Sequence, residues 1–99
     1  HINMITDVTL FCDCWGLTTP ALIPDVGILA CQDIVAIDQA SLDAVRTKDL
    51  IPGSITPPYK LGKGKHLFER LHAKDPYIQV RELEKLGAGT RNYRRVEVK

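Results

Sequence analysis

Ile23-Pro24-Asp25-Val26-Gly27-Ile28-Leu29-Ala30-Cys31-Gln32-Asp33-Ile34-Val35-Ala36-Ile37-Asp38-Gln39-Ala40-Ser41 is the stretch on which the fold turns. Val26 to Cys31 is a continuous apolar run bounded by polar residues, the pattern of a short strand covered on both faces. Asp33 stands where a helix N-cap belongs, and Ile34 to Arg46 carries apolar residues at helical spacing. A strand leading directly into a capped helix is the elementary join of an α/β fold.

Upstream, residues 2 to 11 alternate loosely, with Ile2, Met4, Val8 and Leu10 on one face and many β-branched side chains. They are expected to form a strand beside Val26–Cys31. Residues 12 to 25 mix Cys, Asp, Trp, Gly, Thr and Pro without either period and are expected to form a loop long enough to be functional. Downstream, Pro52, Gly53, Pro57, Pro58, Gly62 and Gly64 predict an irregular surface loop over 49–64 with no core role. Lys65 to Lys74 places Leu67, Phe68 and Leu71 on one helical face. Asp75-Pro76 reads as an N-cap and first helical position for a further helix, Tyr77 to Leu86, striped by Val80, Leu83 and Leu86 and closed by Gly87. Tyr93 to Val98 alternates as a last strand, on an edge given Arg94, Arg95 and Glu97. The expectation is an α/β fold, a small mixed sheet of about three strands with about three helices, as part of a larger α/β domain.

The chain has 99 residues, 44% hydrophobic and 25% charged, which fits one domain with one core. It opens on His1 rather than Met and enters a strand-like stretch at once, so residues 1–99 read as the C-terminal fragment of a longer protein. A net charge of +1 offers no field to steer nucleic acid or an anionic membrane. Three cysteines, an odd number, do not make the framework of a secreted disulfide domain, and a cytoplasmic setting is expected. No apolar run approaches the roughly 20 residues of a membrane span. An unpaired edge at residues 2–11 invites pairing with a second copy, so a homodimer is also expected.

Cys12-Asp13-Cys14 places two sulfurs on the same side of an extended backbone, where two thiolates can bind a soft metal. Zinc and iron–sulfur centres take four ligands, and only Cys31 remains, so a site made of cysteine alone is excluded by count. A mixed zinc or iron site of Cys12, Cys14, Asp25 and Asp38 stays open, with Asp13 or a histidine as further ligands. The other reading is that both cysteines are small buried hydrophobes beside Trp15. Asp38 falls within the arc of Ile34, Ile37, Ser41, Leu42, Ala44 and Val45, at about 100° per residue, while Gln39 and Asp43 point outward. A carboxylate sent inward needs a cation, a metal or hydrogen-bond donors. It is either a ligand or catalytic acid, or a structural brace. His66 and His72 are six apart and face different ways, so they do not pair on one metal. The Gly62-Lys63-Gly64-Lys65 run lacks the spacing of a phosphate loop, and no Ser-His-Asp or Gly-x-Ser-x-Gly pattern occurs.

Cys12-Asp13-Cys14-Trp15, then Ile23 to Ala30, then Asp33 with Val35-Ala36-Ile37-Asp38-Gln39-Ala40-Ser41, resemble a family of prokaryotic proteins catalogued as a domain of unknown function and labelled iron–sulfur or ferredoxin-like. Ile51-Pro52-Gly53, Glu84-Lys85-Leu86-Gly87 and Gly89-Thr90-Arg91-Asn92-Tyr93 are similar to its closing segment. Leu10-Phe11, Cys31 and Ile34 depart from the family, which commonly has a Thr-Pro-Asp-like run, Ser and Pro at those places. Fuller members carry, upstream of this segment, a long α/β region and a ferredoxin-type insert with paired Cys-x-x-Cys-x-x-Cys runs, absent from this chain. The resemblance implies that the intact protein binds 4Fe–4S clusters and transfers electrons. This chain is then its non-catalytic C-terminal domain, with the upstream part of the same polypeptide as partner. An enzyme using Asp38 with Cys12 or Cys14 as nucleophile is the third reading.

Overall fold

The computed structural model describes residues 1–98, with Asp13 by its backbone only. Two strands, β1 (Ile2–Ile5) and β2 (Gly27–Ala30), pair antiparallel, with Ile2 opposite Ala30 and Met4 opposite Ile28. Helices α1 (Ile34–Ala44), α2 (Leu67–His72) and α3 (Ile78–Lys85) follow. The mixed α/β character and the three helices match the expectation, and β1 and β2 pair as expected, although the strand expected over residues 2 to 11 ends at Ile5.

Two strand expectations are corrected. Residues 26–31 do not form a strand covered on both faces: Ile28 is 66% exposed, while Leu29 packs inward against the core. The reason is that the pleat sends alternate residues to opposite sides, and only one side has a layer to meet. Ile2, Met4 and Ile28 therefore share an open outer face, and Asn3, Ile5 and Leu29 face α1 and the core. The last strand expected at Tyr93–Val98 does not form, and among the described residues the sheet has two strands rather than about three. Tyr93 is instead drawn to α1, where its hydroxyl donates to Asp43 at 2.7 Å. A groove of about 720 Å³ is lined by residues 93–98 together with β2 and α1.

Helix α1 forms as the sequence predicts. Asp33 Oδ1 accepts from the amides of Val35 (2.8 Å) and Ala36 (3.1 Å), which satisfies two of the donors orphaned in a first turn. Val35, Ala36 and Ile37 are buried, and the helix packs on β1, β2 and α3. The second helix is shorter than expected, because His66 becomes its N-cap: Nδ1 accepts from the Phe68 amide at 3.1 Å. In α3, Asp75 accepts from the Tyr77 amide at 2.9 Å just ahead of the helix. Its stripe is only half used: Val80 is fully buried and Leu86 is 80% exposed. Gly87 adopts φ +79°, the left-handed conformation that closes a helix, and Ala88 N donates back to Leu83 O at 3.0 Å.

The core is Ile5, Leu22, Ile23, Val45 and Leu67. The loop over 49–64 was expected to have no core role, and this is corrected: Leu50, Ile55 and Leu61 pack against that cluster, and Ile51 N donates to Leu22 O at 2.7 Å. Its apolar residues sit singly between prolines and glycines, so burial there leaves no periodic trace.

Candidate functional site

The cysteine turn is built from the end of β1. Asp7 takes φ +47° and swings the chain out of the sheet, after which Val8 and Leu10 return to cover the core. Three hydrogen bonds fix the stretch that follows. Leu22 N donates to Val8 O (2.7 Å), Leu10 N to Thr19 Oγ1 (3.0 Å), and His72 Nε2 meets Leu10 O (2.9 Å), where the carbonyl requires Nε2 to carry the proton. From this base Asp13–Trp15 forms one tight 3-10 turn, closed by Trp15 N on Cys12 O at 3.0 Å.

This turn, and not an extended backbone, brings the two sulfurs together: Cys14 Sγ donates to Cys12 Sγ at 2.9 Å. Both residues are exposed, which corrects the reading of two buried hydrophobes beside Trp15, itself 67% exposed. The hydrogen bond to Cys12 holds the Cys14 thiol above its ordinary value, with desolvation and the charge of the neighbouring sulfur acting in the same direction. Phe11 anchors the turn with its ring against Trp15 (5.8 Å between centroids), Tyr59 (5.1 Å, edge-on) and His72 (6.2 Å). Beside it opens a groove of about 490 Å³ walled by Phe11, Phe68 and Pro76, with Cys12, His72 and Lys74 also on its lining.

The expected carboxylates have other partners. Asp25 Oδ1 accepts from the Asp7 amide at 2.9 Å, and so fixes the swing out of β1. Asp38 Oδ1 accepts from Asn3 Nδ2 at 2.9 Å and its Oδ2 from Gln79 Nε2 at 3.3 Å, so the carboxylate ties α1 to both β1 and α3. That is the geometry of the brace. Of the four residues Cys12, Cys14, Asp25 and Asp38, the structure brings the two cysteines into contact. Among the described residues, no three His, Cys, Asp or Glu side chains are grouped so that they could hold a metal ion. The Asp13 side chain lies outside the described residues. The two histidines do not pair, in keeping with their spacing: His66 Nε2 lies 2.7 Å from Leu42 O, and with Nδ1 accepting at the α2 cap the ring is fixed as the Nε2–H tautomer.

The residue that sequence reasoning missed is Asp43, read as pointing outward. Its carboxylate accepts from Gln39 Nε2 (3.1 Å), Tyr77 OH (2.7 Å) and Tyr93 OH (2.7 Å), and so gathers α1, the start of α3 and the closing segment. Arg91 Nε adds a bond to Gln39 Oε1 at 2.8 Å. Burial, and then the hydrogen bond to Asp43, push the Tyr77 phenol far above its usual range, and Tyr93 rises mainly through the bond it donates to Asp43. The i, i+4 spacing of Gln39 and Asp43 was the only signal in the sequence; the tyrosines lie 34 and 50 residues away.

Compared with family models, with curated proteins and with solved structures, the chain matches none.

Proposed function

We propose that this chain is a non-catalytic C-terminal domain of a cytoplasmic iron–sulfur electron-transfer protein, whose 4Fe–4S clusters are held by cysteines upstream in the same polypeptide. The strings around Cys12–Trp15, Ile23–Ala30 and Asp33–Ser41 support the family, and one structural observation supports the docking role. Ile2, Met4 and Ile28 present an apolar face on a sheet of two strands, with exposures of 71%, 68% and 66%. Helix α1 covers the inner face of this sheet, and a further layer of an α/β domain is what the outer face lacks. The carboxylates Asp25, Asp38 and Asp43 are committed to holding elements together, which is scaffold work.

The test is to express the chain joined to its upstream polypeptide and follow hydrogen exchange across β1 and β2, with the visible spectrum recorded on the same sample. Protection of both strands in the brown, cluster-bearing protein is the expected result. A colourless product, or strands that exchange as fast as in the isolated chain, defeats the proposal.

A second reading, a zinc or iron site, keeps the support of the 2.9 Å contact between Cys12 and Cys14. With Asp25 and Asp38 engaged elsewhere, the remaining ligands have to come from Asp13, water or another molecule. Elemental analysis of the purified chain decides it: about one metal per chain supports the reading, and a metal-free chain ends it.

A further inference from the structure

We propose that Cys12 and Cys14 are a redox-active dithiol that reduces low-molecular-weight disulfides and closes to an intrachain Cys12–Cys14 disulfide. The inference is independent of the iron–sulfur reading, since it rests on the turn alone.

Three observations carry it. First, the sulfurs are already in contact at 2.9 Å, within a side-chain rotation of the bonding distance of about 2.0 Å. Second, both thiols are exposed, on a turn pinned from beneath by the Leu10 hydrogen bonds and the Phe11 ring contacts, so a small reagent reaches them without unfolding the core. Third, Cys12 lines the groove beside Phe11, Phe68 and Pro76, which offers an apolar wall to the substituent of an incoming disulfide. Cys31 is set differently: the residue is half-buried and its sulfur accepts from the Asp33 amide at 3.4 Å.

The groove divides the roles: Cys12 lines it and meets the incoming disulfide, while Cys14, in contact with Cys12 but not on that lining, resolves the adduct. Cys12 attacks as its thiolate, the nucleophilic form of cysteine. That thiolate attacks one sulfur of R–S–S–R, forming a mixed disulfide on Cys12 and expelling RS⁻, which takes up a proton from solvent. Cys14 then loses its proton to solvent and attacks Cys12 Sγ. The Cys12–Cys14 bond forms, the bond to the small thiol breaks, and the second RS⁻ leaves and is protonated. Two electrons and two protons pass from the protein to the reagent, giving one protein disulfide and two RSH. A ring closed over three residues is tight, so the product is a labile disulfide, readily reduced again.

Glutathione disulfide is the probe. The full chain, kept under argon with a chelator, is treated with it, digested without reduction and mapped by mass spectrometry, while the fluorescence of Trp15, the one tryptophan, is followed. The expected product is a Cys12–Cys14 peptide lighter by two hydrogens and free of adduct, with two glutathione released per chain. Trp15 emission is quenched by the adjacent disulfide and restored by dithiothreitol. Cys14→Ser is expected to stop at a stable glutathione adduct on Cys12. Persistent glutathione adducts on the unaltered chain, disulfide-linked dimers, or thiols at Cys12 and Cys14 that outlast Cys31 would each overturn the proposal.

Discussion

At the scale of single residues, an aspartate and a tyrosine show how side-chain geometry sets pH dependence. Asp33 accepts from the amides of Val35, Ala36 and Thr90, and the Thr90 bond contributes most to holding its carboxyl below the usual range. A depressed value means that the folded state binds the proton less well than the unfolded chain. The stabilisation is therefore complete above the unfolded carboxyl's value of about 3.9 and is lost as pH falls through the lower folded value. Asp33→Asn is expected to lower the urea midpoint at neutral pH and to flatten its fall in acid, read from denaturation series at several pH values. Tyr77 runs the other way. Its phenol is raised, so its contribution is complete below the unfolded value of about 10 and is lost as pH climbs through the folded one. Tyr77→Phe is expected to remove much of the alkaline loss of stability; an unchanged midpoint curve above neutrality contradicts it. Asp43, which receives both tyrosines, was legible only as a helical residue, because nothing local in a sequence reveals partners dozens of positions away.

At the scale of elements, α1 was legible almost to its ends because three local signals agree there: an Asp cap, helical spacing and a preceding strand. The short α2 and α3 depend more on tertiary burial than on propensity, as helices this brief are marginal alone. Leu67, fully buried, and Leu86, largely exposed, make the contrast measurable. Leu67→Ala is expected to cost about 2–5 kcal/mol in chemical denaturation, and Leu86→Ala no more than about 0.5 kcal/mol. Comparable costs would mean that Leu86 is covered in solution. The sequence stripe treated Val80 and Leu86 as equals, since periodicity reports which face is apolar and not how far along that face a neighbour extends. The same limit explains the segment 93–98, whose alternation suits a strand but whose Tyr93 is held on α1.

At the scale of the whole molecule, the outer face of the sheet is the surface on which the proposed docking is tested. Ile28→Lys places a charge on a side chain already 66% exposed, opposite Met4, so the isolated chain is expected to keep its stability within about 1 kcal/mol. In the longer protein proposed above, the same substitution is expected to abolish strand protection in hydrogen exchange; retained protection counts against docking on this face. Among the described residues no helix is long and apolar enough to cross a membrane, in line with the absence of a long apolar run. By itself the sequence determined the α/β character, the capped helix after β2, the N-terminal strand that pairs with it and the closing of α3 at Gly87. Each of these is encoded within a few consecutive residues by period, cap or turn chemistry. Only the tertiary structure decided that the sheet stops at two strands, that the proline-rich loop joins the core, that Asp38 braces and Asp43 gathers, and that Cys12 and Cys14 meet on an open turn. Those outcomes depend on which distant side chains supply hydrogen bonds and cover, and such partners are set by how the elements pack rather than by the residues beside them in the chain.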